Sequence, residues 1–425
     1  MKRSDEILFA LLRRALWGVD DRCASGGCAH RGEPLPKNEA AQMPEQVGHD
    51  SDKKQGNGEH TPEQVGHDGD KKQGNGEHTT EQDGHDQCQE GWHEVDKQQW
   101  QEIYQQASYQ GVLGVLWDGV KDLPMDKGLR LNWALNVEKI EQRYERQRIV
   151  LEELAELFAA NGMDMMVIKG YGLSLLYPEP KHRPCGDIDF YLYGEYAKGD
   201  KVLEETHNLT TDLNKHHHTV NYYRGVMLEN HYDFLNTEAH LSNRIIEQRL
   251  IAEVEANKGE ARELSNGAKF YIPCPEFNAL FLLRHAAAHF AAERIGLRHL
   301  VDWALFLQNY GEQVDWKRFY AFAREMNMHR FLNAINTIAI EQLGVNGSLL
   351  PQYERDAKLE KRVLEEILCP AFQVPMPGKR NPLIYLWKLR RWTGNMWKNK
   401  IVYKESLINQ FFVLWKSHIL KPELK

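Results

Sequence analysis

The sequence predicts an α+β fold, with a small mixed-sheet core between helical N- and C-terminal regions and a disordered repeat insert near the start. Three observations carry that prediction. Apolar residues recur at helical spacing on both sides of the centre, short runs with strand-like patterning lie between residues 161 and 235, and a polar 18-residue unit repeats at 44–79. The 425 residues divide into an N-terminal helix (1–18), the insert (19–91), a helical region (92–160), the mixed-sheet core (161–273) and a helical C-terminal domain with a basic, Trp-rich tail (274–425).

Composition removes several classes of function. Lys and Arg number 53 against 61 Asp and Glu, so the net charge of −8 excludes a chain basic throughout and built to grip nucleic acid. Six cysteines are too few for a disulfide scaffold at this length, and the expectation is reduced thiols in a cytoplasmic protein. Arg13 and Arg14 interrupt the apolar start and no small-residue cleavage site follows, so no signal peptide is expected. No run of 18 apolar residues occurs, so no transmembrane segment is expected either.

The elements follow in order. Ile7, Leu8, Leu11, Leu12 and Leu16 form the stripe of an amphipathic helix that needs a partner. Residues 44–61 and 62–79 then differ only at Ser51 and Gly69, and each copy holds one strongly apolar residue, Val47 or Val65. Such units cannot bury a core, so the segment reads as a solvated insert that grew by duplication. Helical patterning resumes from Trp92 to about Leu123 and from about Leu131 to Ala160, where Asn161-Gly162 is a stop signal. Met165–Ile168 reads as a buried strand ending at Lys169-Gly170, where the chain can turn sharply beside a cation.

The most informative segment is Arg183-Pro184-Cys185-Gly186-Asp187-Ile188-Asp189-Phe190-Tyr191-Leu192. Ile188, Phe190 and Leu192 alternate with Asp187, Asp189 and Tyr191, so both carboxylates share one side of a strand. Two like charges that close repel unless something positive sits between them. A hard divalent cation with oxygen ligands answers that need, and magnesium commonly bridges such carboxylates to a substrate phosphate.

The order strand, Val167-Ile168-Lys169-Gly170, Leu176-Tyr177-Pro178, then Arg183-Pro184-Cys185-Gly186-Asp187-Ile188-Asp189 resembles the DNA polymerase β-like nucleotidyltransferase superfamily. More narrowly it is similar to an uncharacterised bacterial family within it. The resemblance implies a nucleotidyltransferase core with Asp187 and Asp189 as metal ligands and a third carboxylate from a later strand. The segment from Val226 to Phe234 reads as that strand, and the family's Glu-x-His pattern falls on Glu229 and His231; Asp233 is the fallback. Where the wider superfamily has Gly followed by Gly or Ser, Gly170 precedes Tyr171, so phosphate contacts are assigned to Lys169, the Gly170 backbone and Arg183. The absence of G-x-x-x-x-G-K-[ST] and G-x-G-x-x-G patterns removes the support for P-loop and dinucleotide-binding readings.

In the C-terminal half, His285 and His289 stand four apart on a helix without the adjacent Glu of a metalloprotease motif, so a zinc site is disfavoured. Arg298 and Asp302, one turn apart, read as a structural pair. Residues 379–425 carry eleven Lys or Arg against two Glu, with four Trp interleaved. That tail reads first as a packed helical subdomain, with contact to a membrane surface or a polyanion as the alternatives.

The expected protein is an enzyme that uses Mg²⁺ or Mn²⁺ to transfer an NMP from a nucleoside triphosphate to a hydroxyl of an unknown acceptor. Asp187, Asp189 and Glu229 carry the metal and the catalysis. A catalytically inactive nucleotide-binding module and a membrane-surface accessory protein of a polysaccharide- or peptide-modification pathway are the competing expectations.

Overall fold

The computed structural model describes residues 1–19, 92, 94–264, 266–371 and 383–406. The predicted repeat insert and the last part of the basic tail lie outside the described residues. The N-terminal elements are α1 (Arg3–Trp17), α2 (Lys97–Gln110), α3 (Leu113–Val120) and α4 (Lys127–Ala160). The central ones are β1 (Met166–Ile168), α5 (Gly170–Ser174), β2 (Asp187–Tyr191), α6 (Tyr196–His207), β3 (His218–Tyr223) and β4 (Val226–His231). Next come α7 (Leu241–Ala256), β5 (Glu260–Glu263) and β6 (Lys269–Ile272). Helices α8 (Pro275–Ala292), α9 (Leu297–Tyr310), α10 (Trp316–Glu325), α11 (His329–Leu343), α12 (Ala357–Leu368) and α13 (Ile384–Val402) complete the described chain.

The α+β class and the mixed sheet are as expected. Strand order is β3-β4-β2-β1-β6-β5, with β2 parallel to β4 and β1 parallel to β6, and the other neighbours antiparallel. The region expected to be helical from Trp92 to Leu123 is two helices. Gly111, at φ 70°, closes α2 in the left-handed conformation that favours glycine, and the chain restarts at Leu113.

Alternation in β2 assigns the two faces of the sheet. Ile188 and Phe190 join Val167, Leu228 and Phe270 beneath Leu151, Leu154 and Phe158 of α4. The opposite face, carrying Asp187, Asp189 and Tyr191, turns toward the C-terminal helices, whose core includes Phe234, Phe277 and Phe281. One apolar core runs from α1 through α2 and α3 into α8, α9 and α11, so the N-terminal helix is part of the same packed body as the C-terminal domain. The described part of the basic tail also packs inward. Trp397 meets Phe290 edge-on under the guanidinium of Arg362, and Lys398 is buried against Glu366 at 2.6 Å.

Candidate active site

Strand register builds the site. The parallel pairing of β2 with β4 sets Asp189 beside Glu229, and the antiparallel pairing of β1 with β2 sets Ile168 opposite Asp189, so Lys169 emerges next to both carboxylates. Lys169 Nζ lies 2.7 Å from Asp189 Oδ1. To reach it, Lys169 adopts φ 54° and Gly170 follows at φ 35°. A non-glycine residue there costs on the order of 1 kcal/mol or more, a strain that tends to persist at functional sites.

His231 Nε2 sits 3.1 Å from Asp189 Oδ1 and 3.9 Å from Glu229 Oε2, while His218 Nε2 lies 3.6 Å from Glu229 Oε1. One ligand atom from each of Asp189, Glu229 and His231 falls within 4.8 Å of the other two. Asp187 faces the same cavity but stands outside that close group. Asp233, the fallback ligand, follows the end of β4 and is not among the residues lining the cavity.

The charges in this cluster are unequal. Burial alone would raise Asp189, but the Lys169 ammonium and the His231 ring hold it well below the usual carboxylate range. Burial and the neighbouring Asp189 carboxylate push Glu229 up to about 8, and the same two causes raise Asp187. Lys169 thus offsets Asp189, whereas Asp187 and Glu229 have no Lys or Arg ion-pair partner among the described residues. His217 and His218 are kept neutral, pushed down by burial to about 3 and about 4.

The cluster forms one side of a cavity of about 830 Å³, which is within the range of small-molecule sites. Lys169, Gly170, Arg183, Asp187, Asp189 and Glu229 all line it. Facing them from α8 and α9 are His285, His289 and His299, together with Arg284 and Arg298. The His285 and His289 rings are 4.5 Å apart and burial keeps both neutral. Among the described residues they belong to no group of three close metal-ligating side chains.

Arg183 is held within a buried network. Its Nε and Nη2 donate to the two carboxylate oxygens of Asp302 at 2.8 and 2.9 Å, and Tyr177 donates its hydroxyl to the same carboxylate at 2.8 Å. The partner expected for Asp302 was Arg298, one turn away. Instead the Arg298 guanidinium donates to the Pro184 carbonyl at 3.0 Å, and it forms no ion pair among the described residues. Arg183 reaches Asp302 because α9 packs over the loop that leads into β2. Tyr171, the departure from the superfamily loop, points away from the cavity into the α4 side of the sheet, where it stacks on Tyr144 at 5.1 Å.

Sequence reasoning missed His217 and His218. The run His216-His217-His218 immediately before Thr219-Val220 was the available signal.

A mixed sheet presenting paired carboxylates to a nucleotide-sized cavity fits a phosphoryl- or nucleotidyl-transfer enzyme. Residues 96–344, more than half of the chain, match the family described as "Uncharacterised nucleotidyltransferase", and the chain belongs to that family. No curated protein and no solved structure matches it. No helix among the described residues is long and apolar enough to cross a membrane.

Proposed function

We propose that this protein is a divalent-metal-dependent enzyme that moves an NMP from a nucleoside triphosphate to a hydroxyl of a separate acceptor. The observation that carries the reading is the register placing Asp189 beside Glu229 on parallel strands, with Asp187 on the same wall of the cavity. A bound Mg²⁺ or Mn²⁺ would be held by Asp187, Asp189 and Glu229 and would neutralise charge at the α-phosphate. The donor chemistry fits, since these carboxylates are crowded and Glu229 is raised by burial and its anionic neighbours.

The protein's own groups divide the remaining work. Lys169 offsets the charge of Asp189, and the sharp turn at Gly170 presents backbone to the cavity in which a triphosphate would bind. Arg183, locked to Asp302, shapes the same wall, where Arg298 supplies positive charge with no carboxylate ion pair among the described residues. With a divalent cation bound, Glu229 would be held ionised and would accept the acceptor's proton as the new O–P bond forms, while the bond to the β-phosphate breaks to release pyrophosphate. Positioning and electrostatics supply most of the rate in such transfers.

Transfer of label from α-phosphate-labelled nucleoside triphosphates, with Mg²⁺ or Mn²⁺ and host lysate as acceptor source, tests the reading. The wild type should incorporate label and the Asp187→Asn/Asp189→Asn variant should lose at least a hundredfold. Metal-dependent nucleotide binding by the wild type without any incorporation would overturn transfer in favour of a nucleotide-binding module.

A further inference from the structure

We propose that His217, His218 and His231 form a binding site for a borderline first-row transition-metal ion of the Zn²⁺ class, beside the carboxylate pair. The inference goes beyond nucleotidyl transfer and does not depend on turnover.

The antiparallel register of β3 with β4 sets His218 opposite His231, and His217 immediately precedes β3. Their ring centroids lie 4.4, 5.2 and 5.5 Å apart. One ring nitrogen from each falls within 4.8 Å of the other two, short enough for side-chain rotation to close around an ion. All three residues line the cavity, so an ion has a route to them.

Hydrogen bonding orients one ring of this cluster and leaves nitrogens of the other two without partners among the described residues. His231 Nδ1 lies 3.1 Å from the Asp233 carbonyl, which can only accept, so Nδ1 carries the hydrogen. The other ring nitrogen, Nε2, faces Asp189 Oδ1 at 3.1 Å and Glu229 Oε2 at 3.9 Å. A backbone carbonyl on one imidazole nitrogen is the usual way of aiming the other at a metal. Among the described residues the buried Nδ1 atoms of His217 and His218 have no hydrogen-bond partner, an uncommon and costly condition for polar atoms.

The donor chemistry chooses the ion. Imidazole nitrogen suits zinc, cobalt, nickel and iron, whereas Mg²⁺ prefers oxygen and gives up its water reluctantly. The three imidazoles therefore select a different class of ion from the one that Asp187, Asp189 and Glu229 suit by themselves.

Full-length protein stripped by chelator tests this. Co²⁺ titration followed by visible absorption, and equilibrium dialysis with Zn²⁺ in excess Mg²⁺, are compared for wild type, His217→Gln and His217→Gln/His218→Gln. The wild type should bind one more Zn²⁺ than the double variant and give Co²⁺ bands that the double variant lacks. The single variant, altered only at a partly buried ring, should lose at least tenfold in affinity with an unchanged far-UV spectrum. Histidines of the repeat contribute equally to all three proteins, so the difference is the readout. Equal Zn²⁺ affinity and equal Co²⁺ spectra in wild type and both variants, or displacement of Zn²⁺ by equimolar Mg²⁺, overturn the proposal. Label transfer is measured separately, so loss of the proposed reaction with metal binding intact leaves this site standing.

Discussion

At the scale of single residues, the buried pair Arg183–Asp302 decides whether the site has a shape. Both side chains are at least nine-tenths buried, and together with Tyr177 they satisfy both carboxylate oxygens and two guanidinium nitrogens. Burial opposes both charges, and each persists because the other offsets it. Removing one partner leaves the other as an uncompensated buried charge, which costs about 3–5 kcal/mol, whereas replacing both with apolar groups is often tolerated. Urea unfolding should therefore show Asp302→Asn destabilised by about 3–5 kcal/mol, with Arg183→Met/Asp302→Leu recovering part of the loss. Lysine at 183 cannot reproduce the two-pronged contact and should behave like the broken pair. If Asp302→Asn unfolds at the wild-type urea concentration, the pair is not the strut described here.

At the scale of elements, His182 fastens two helices to the approach of β2. Its Nδ1 is 2.6 Å from Asp118 of α3 and its Nε2 is 2.9 Å from Glu141 of α4, an arrangement that uses both ring hydrogens of an imidazolium. Burial works against the charge, but the hydrogen bonds and charges of Asp118 and Glu141 outweigh it, so the ring is held above its ordinary value. Close fit requires Gly114, where an added Cβ would meet the His182 carbonyl at 2.3 Å. A raised histidine contributes stability that is full below about pH 6.5 and fades as pH climbs through the folded value. The Tm gap between wild type and His182→Gln should thus be widest near pH 5.5 and narrow by pH 9; a gap independent of pH would show that the ring is not charged.

The same scale explains what the sequence disclosed. β2 was readable because Ile188 and Phe190 face α4 while Asp187 and Asp189 face the cavity, a clean period of two. β3 gave no such signal, since its first four residues are all buried, and the exposed Glu260 and Glu263 of β5 hide an edge strand. Glu229 could be placed by family pattern, but its pairing with Asp189 depends on strand order. Asp302 lies 119 residues from Arg183, and contacts that distant follow from helix packing, which local periodicity does not encode.

At the scale of the whole molecule, the connection between α1 and α2 spans the duplicated repeat, yet α1 is integral to the core. Ile7, Leu8, Leu11 and Leu12 are almost completely buried, and Arg13 and Trp17 donate hydrogen bonds to the Gln342 and Leu343 carbonyls at the end of α11. These bonds satisfy carbonyls that a helix terminus leaves without partners. An added Cβ at Gly119 of α3 would meet the Leu11 carbonyl at 2.6 Å, which measures how closely α1 seats. Sequence between two docked helices affects stability chiefly through loop closure, and halving a connection changes that entropy by only about 0.6 kcal/mol. Removal of the two copies, residues 44–79, should therefore move Tm by no more than about 2 °C. Leu8→Ala, by contrast, empties a site inside the shared core and should cost about 2–5 kcal/mol. The paired outcomes separate a tether from a structural helix: a large loss on deleting the repeat would mean that it packs, and a small loss for Leu8→Ala would mean that α1 does not.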